Sequence, residues 1–289
     1  MNLDNIINEI EKVDPEVYER FDTRRKVMKQ FANIGSKIAL AAVPTAIASM
    51  FQKAYGQTPE EVNGVLNYAL TLEYLEAEFY TNIVGSPGYL TAPAAAQGAL
   101  TNIRNDENKH VAFLKRVLGT AAVAKPNFDF SGGAGSGTGP FAGYLANYDV
   151  QLAMAQTFED TGVRAYKGQA ANVKSNRVAL TSALRIHSVE ARHAAHIRQM
   201  RAARNMLVPA GQLPRPWIVL AQSNIDTGNA GVNAAIQKSY TGEDVTTQAG
   251  VNIVNLGGAF NDAANASAGF DEPLTKEAVL DIVSIFIAP

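Results

Sequence analysis

Two short patterns of metal-ligating residue types each occur twice along the chain. One pattern is Glu-x-x-His, and the other is a Glu followed by a Tyr seven residues later. Three residues apart on a helix, a Glu and a His project from the same face on adjacent turns, so both can hold ions in one small volume. The first copy is Glu73, Tyr80, Glu107 and His110, and the second is Glu159, Tyr166, Glu190 and His193.

The spacing between the two copies indicates an internal repeat. Corresponding residues of the two Glu-x6-Tyr copies are 86 positions apart, and corresponding residues of the two Glu-x-x-His copies are 83 positions apart. Two related helical hairpins would bring four carboxylates and two imidazoles to a shared centre. Four carboxylates offset two divalent cations, and oxygen with imidazole ligands suits iron or manganese better than copper(I). The pattern predicts a site for two metal ions, Fe or Mn.

The alternative is that these acids form ordinary ion pairs on exposed helix surfaces. The basic residues available for such pairs are Arg104, Lys109, Arg164 and Arg192. The apolar residues around Glu73 and those preceding Glu159 favour inward-facing acids instead. An inward acid needs a partner, and a metal ion supplies one.

Several neighbouring residues have open roles. Glu76 lies one turn after Glu73 on the same face, and it is either a rival, an additional ligand or a residue that supports the ligands. Tyr80 and Tyr166 either hydrogen-bond a ligand carboxylate, act as local electron donors or are simple core aromatics. For the residues beside the ligands we expect surface or supporting positions, with the two acids as candidates for orienting a ligand imidazole: His187, His196, Asp106 and Asp160.

Four segments with apolar residues at three-and-four spacing predict the helices that carry these residues. Their expected bounds are 58–84, 93–118, 144–170 and 174–206. Short links predict two antiparallel hairpins, and the glycine-rich stretch within 119–140 predicts a long crossover between them. The sequence therefore predicts an all-α four-helix bundle over 58–206.

The regions outside the bundle have different textures. Residues 207–289 are rich in Pro, Gly, Asn and Ala, which predicts an irregular extension that ends in a short helix near 271–283. In residues 1–57, the pair Arg24-Arg25 precedes an apolar run and small residues, the order of a twin-arginine export signal. The alternative for this segment is an N-terminal helical arm. The export signal predicts a periplasmic or cell-envelope protein.

Composition excludes several classes of function. The formal net charge of −2 gives no basic field for nucleic acid, so we expect no such partner. No cysteine is present, which excludes disulfides, thiolate ligands and iron–sulfur clusters. The apolar run Ile38–Phe51 contains Pro44 and is shorter than the roughly 20 residues of a membrane-spanning helix, so no stable membrane anchor is expected.

These motifs resemble those of the ferritin-like superfamily, in particular exported ferritin-like proteins related to desiccation-associated proteins. The stretches that carry the resemblance are Leu66–Tyr80, Glu107–Leu118, Glu159–Ala170 and Val189–Ala194. The resemblance implies a ferritin-like bundle with a dimetal site on the repeated Glu and His residues. It implies no single reaction, because the superfamily includes ferroxidases, rubrerythrins, manganese catalases and oxygenases. Lacking Cys, this chain cannot hold a rubredoxin-type iron centre.

The expected function is that of a dimetal-carboxylate protein that reacts with peroxide or dioxygen in stress protection. Peroxide disproportionation and iron oxidation are both compatible with the residues, so peroxide, dioxygen or ferrous iron is the expected small substrate. The alternative is a non-catalytic stress- or desiccation-protective protein on the same bundle. A homo-oligomer is compatible with the sequence.

Overall fold

A computed structural model describes residues 58–254, 256 and 261–289. The predicted export signal or arm at 1–57 lies outside the described residues. The described residues up to 246 and from 252 onward belong to one compact unit, and residues 247–251 group with a second. All the metal-ligand candidates lie within the first of these units.

The first hairpin consists of helices α1 and α3. Helix α1, Pro59–Ile83, begins with a capping box, in which Thr58 and Glu61 each accept a hydrogen bond from the other's backbone N–H. The short helix α2, Pro87–Leu90, links α1 to α3, Ala94–Leu118. The two long helices pack against each other along their lengths, as the short predicted link requires.

The crossover between the hairpins is ordered around Asp129. The carboxylate of this residue accepts hydrogen bonds from the backbone N–H groups of Ser131, Gly135 and Gly137. The two glycines have φ of 98° and 68°, in the left-handed region that glycine tolerates. Strand β1, Asn127–Phe128, pairs antiparallel with the C-terminal strand β4, Ile287–Ala288. The predicted crossover is therefore tied to the end of the chain.

The second hairpin consists of α4, Tyr148–Ala170, and α5, Arg177–Arg204. Both helices begin later than the sequence predicts. The side chains of Asn147 and Asn176 each accept hydrogen bonds from the first helical N–H groups and so fix the two starts. The four long helices form the predicted four-helix bundle, and none of the described helices has the length and hydropathy of a membrane-spanning segment.

The extension after residue 206 is more regular than predicted. It contains α6, Ala230–Gln237, α7, Ala263–Ser267, and α8, Lys276–Val283. A hairpin of two short strands is added by β2, Thr247–Gln248, and β3, Val251–Asn252. Helix α8 is the predicted terminal helix, shorter at its start because Thr275 is its N-cap.

Buried charged residues anchor the extension to α4 and α5. The guanidinium of Arg164 forms an ion pair with Glu243 and donates hydrogen bonds to backbone carbonyls of the extension. Asp160 accepts hydrogen bonds from Arg198 and from the hydroxyl of Tyr240. All five side chains are buried. The extension thus forms part of the buried interior, because it covers charged side chains of α4 and α5.

Replacing Glu243 with Ala is expected to lower the free energy of unfolding by about 3–5 kcal/mol, because it leaves the buried Arg164 guanidinium without its carboxylate. Urea unfolding of chelator-treated protein measures this. The control is Asp281→Ala, which removes the exposed Lys238–Asp281 pair and should cost no more than about 1 kcal/mol. Equal effects of the two variants would contradict the anchoring role of Glu243.

Candidate metal centre

The four bundle helices bring all six repeated ligand candidates to one place in the interior. Each helix contributes from its core-facing side, α1 and α4 with one Glu and α3 and α5 with a Glu and a His. The carboxylates are fully buried, and the two imidazoles nearly so. The residues brought together are Glu73, Glu107, His110, Glu159, Glu190 and His193. The surface-pair alternative is therefore wrong for these side chains.

One half of the cluster centres on His110. Its Nδ1 lies 3.0 Å from Glu107 Oε2, 3.1 Å from Glu73 Oε2 and 3.2 Å from Glu190 Oε1. These four residues each offer a ligand atom within 4.8 Å of the others. Three oxygens and one nitrogen at this spacing can surround a single cation.

The other half centres on His193. Its Nδ1 lies 2.8 Å from Glu107 Oε1 and 3.2 Å from Glu159 Oε2, and Glu190 completes a second set of four within 4.8 Å. Glu107 and Glu190 belong to both sets. The two imidazole rings lie 6.5 Å apart between centroids. The arrangement is two neighbouring cation positions that share two carboxylates.

Unpaired polar atoms in the cluster are compatible with bound cations. Several buried ligand atoms have no hydrogen-bond partner, although other polar atoms are close: Glu107 Oε1, Glu159 Oε2, both oxygens of Glu190 and His193 Nδ1. These oxygen and nitrogen atoms lie close together, but they are not aligned for hydrogen bonding. This indicates that the side chains are directed at a common point. Orphaned buried carboxylate oxygens are costly, and cations would satisfy them.

Residues 62–203 match the model of the family described as a ferritin-like domain. Over this segment the chain is similar to ferritin-like domains. The match spans both hairpins and all six clustered residues, in agreement with the helical bundle. No curated protein matches the chain.

Two tyrosines orient the outer carboxylates of the ferritin-like domain. The hydroxyl of Tyr80 donates to Glu159 Oε1 at 2.6 Å, and that of Tyr166 donates to Glu73 Oε1. Each tyrosine thus serves the glutamate of the opposite copy of the repeat. Burial and the adjacent carboxylates raise the pKa of both phenols well above the ordinary value, so they remain protonated donors. Of the roles left open by the sequence, this geometry shows carboxylate hydrogen bonding.

Glu76 lies in the same interior volume, opposite Gly162. A Cβ on residue 162 would lie 3.1 Å from Glu76 Oε1 and 3.1 Å from Glu190 Oε2. Glu76 itself is only 3% exposed. In the repeat, Gly162 occupies the position equivalent to Glu76, 86 residues later. One copy therefore supplies a fifth carboxylate and the other supplies the space for it.

The electrostatics of the cluster are dominated by burial of like charges. Burial and the adjacent Glu190 raise the pKa of Glu107 to about 8, although the neighbouring imidazoles of His110 and His193 act in the opposite direction. Burial and neighbouring carboxylates raise the pKa of Glu190 and Glu76 well above the usual value. Burial lowers the pKa of His193, but Glu159 and Glu107 more than reverse this and raise it to about 11. Positive charge close to the buried carboxylates would stabilise their ionised form, so cation binding would displace protons from the cluster.

The other candidates lie outside the cluster. His187 is half-buried, with Nδ1 3.0 Å from the Val163 carbonyl oxygen, and His196 is exposed. Asp106 Oδ2 lies 3.6 Å from His193 Nε2, a position from which it can orient this imidazole. Asp160 faces the extension and bonds Arg198, so it does not have the orienting role expected of it.

Gly162 was not among the residues predicted from the sequence. The available signal was the repeat itself, since the offset of 86 that relates Glu73 to Glu159 also relates Glu76 to Gly162. A glycine in the middle of a core helix is unfavourable by about 1 kcal/mol relative to alanine. Its presence among buried carboxylates is explained by the room they need.

Replacing Gly162 with Ala is expected to weaken metal binding by roughly 10–100-fold, because the added methyl group displaces Glu190 and Glu76. Competition of Mn(II) with a chelator measures the affinity. The matched control is Gly64→Ala on the exposed side of α1, where a Cβ meets nothing within 4 Å. Wild-type affinity in Gly162→Ala would show that the space beside Glu190 does not matter.

Proposed function

We propose that the ferritin-like domain binds two iron or manganese ions and acts as an oxidoreductase on peroxide or dioxygen. The observation that carries the proposal is the pair of four-residue ligand sets that share Glu107 and Glu190. Two cations bound by these sets would share two carboxylates, and together they could supply two electrons to one small oxidant. A structural metal site would need only one closed set of ligands.

The chemistry follows from a two-electron site. With two divalent ions bound, the site supplies two electrons, which with two protons reduce dioxygen to hydrogen peroxide, or hydrogen peroxide to two waters. The second half-reaction combined with the reverse of the first gives peroxide disproportionation. Both the ferroxidase-type and the catalase-type activities considered from the sequence thus use the same residues.

The protein residues divide this task between fixed and movable carboxylates. Glu73 and Glu159 are each held at Oε1 by a tyrosine hydroxyl, which fixes their orientation as outer ligands. Glu190 has no hydrogen bond at either oxygen and borders the space beside Gly162. It can therefore change its binding mode as the charge of the site changes, without movement of the backbone. Burial of the cluster excludes bulk water from the reaction.

Metal loading with a glutamate variant tests the proposal. Wild-type protein, stripped with a chelator and reloaded with Fe(II) without oxygen or with Mn(II), should contain two ions per chain and consume peroxide or dioxygen. Glu107→Gln should lose most of the metal, because Glu107 belongs to both ligand sets. Elemental analysis and absorption spectra measure loading, and the spectra distinguish iron from manganese.

The control variant is Glu78→Gln, which removes a carboxylate of α1 that pairs with Lys125 at the surface. It should load two ions like the wild type. Full loading of Glu107→Gln would overturn the site assignment. Two ions without turnover would overturn the enzyme proposal and support the alternative, a stress- or desiccation-protective protein with a structural metal site.

We also propose that the protein acts in the cell envelope. The support is the Arg24-Arg25 pair with its following apolar run, in a segment outside the described residues; twin-arginine signals direct proteins to export. Replacing both arginines with Lys should retain the protein in the cytoplasm, as measured by cell fractionation. Unchanged distribution of this variant would contradict the export proposal.

A further inference from the structure

An apolar cavity lies in the bundle core directly beside the candidate metal centre. It leaves about 20 Å³ for the centre of a water-sized molecule, so it holds one small molecule. Its walls come from all four long helices and are almost wholly apolar. The residues that form its inner wall are Ala69, Leu72, Leu114, Ala165, Tyr166 and Ile186.

The cavity occupies the next layer of the bundle beyond the ligands. Its residues Ala69, Leu114 and Ile186 lie four positions, about one helical turn, from Glu73, His110 and Glu190 respectively. The ring of Tyr166 also lines the cavity, while its hydroxyl donates to Glu73. A molecule in the cavity is therefore separated from the ligand shell by a single side-chain layer.

The internal repeat shows that this cavity is not a requirement of the fold. Three residues that line the cavity have larger counterparts in the other copy of the repeat. The offset of 86 relates Ala165 to Phe79 and Leu72 to Phe158. The offset of 83 relates Ala183 to Leu100.

These three counterparts are fully buried and closely packed. The rings of Phe79 and Phe158 meet edge to face at 5.1 Å between centroids, and Leu100 has no exposed surface. The side of the centre near Tyr80 is filled, and the side near Tyr166 is open. A void of this kind in a core reduces stability. Since larger side chains fill the equivalent position in the other copy, the open cavity indicates a functional role.

The cavity has its mouth at the half-exposed residues of its lining. These are Val65 on α1, Gln169 on α4 and Ser182 and Ala183 on α5, whereas the inner wall is buried. A small molecule can enter past these residues and reach the Tyr166 side of the ligand cluster. Polar groups at the mouth and apolar groups within are the pattern of a small-molecule site.

We propose that this cavity is the binding and access site for dioxygen. Dioxygen is small, uncharged and apolar, so it gains from leaving water for an apolar cavity. Hydrogen peroxide would lose its hydrogen bonds to water there without replacement. The use of the bound dioxygen rests on the proposed function, whereas its binding does not.

Xenon, an apolar probe of dry cavities, tests the binding site without metal. Crystals of wild-type protein under xenon pressure should show xenon between Ala69 and Ile186. Ala183→Leu, which copies Leu100 of the other half, should abolish that site. Ala203→Leu, an equal enlargement at an exposed position of α5, should retain it. Absence of xenon in the wild type, or its persistence in Ala183→Leu, would overturn the proposal.

Oxidation of the Fe(II)-loaded protein then tests selectivity. Ala183→Leu should slow oxidation by dioxygen by about tenfold or more, a barrier change above about 1.4 kcal/mol, and leave oxidation by peroxide near the wild-type rate. Leu72→Phe, which copies Phe158, is a second filling variant in case Ala183→Leu does not fold. Equal slowing with both oxidants, or no slowing at all, would overturn dioxygen as the occupant. Failure of metal loading would overturn the proposed function but leave the xenon result standing.

Discussion

Balancing like charges in the interior is the constraint on which the rest of this structure depends. Five carboxylates and two imidazoles share one buried volume. A buried carboxylate without a partner is strongly unfavourable. Two divalent cations would remove this cost and also join the four long helices through ligands from each of them. The four helices turn their ligand candidates toward one point, and the tyrosine hydrogen bonds orient two of the carboxylates. Both features place oxygen and nitrogen atoms where they could surround such cations.

Much of the bundle could be predicted from local sequence signals. Apolar spacing indicated the four long helices, and Thr58 marked the first helix start correctly. The later helix starts depend on the side chains of Asn147 and Asn176, whose capping was not predicted from the sequence. The order within the extension could not be predicted, because it depends on pairing of residues distant in sequence, such as Arg164 with Glu243.

The convergence of the site was predictable because repetition adds information that a single motif lacks. Two matching sets at nearly equal offsets restricted the ligands to six residues, and the structure brings those six together. The exceptions to the repeat were harder to interpret. Aligning the two copies position by position finds Gly162 opposite Glu76 and the smaller residues around the cavity. The space that these residues leave depends on which side chains meet in the folded core. These departures from the repeat mark the positions at which the two halves of the bundle differ in side-chain size and charge.

The anchoring of the extension separates the segment recognised by similarity from the unit that folds. The ferritin-like match ends at residue 203, yet Arg164 and Arg198 on the bundle helices are buried against Tyr240 and Glu243. A chain cut at the end of the match would leave the buried Arg164 guanidinium without its carboxylate partner, and the Asp160–Arg198 pair without the hydroxyl of Tyr240. Loss of the C-terminal third would therefore have to be accompanied by changes on α4 and α5 that remove these buried charges or give them new partners.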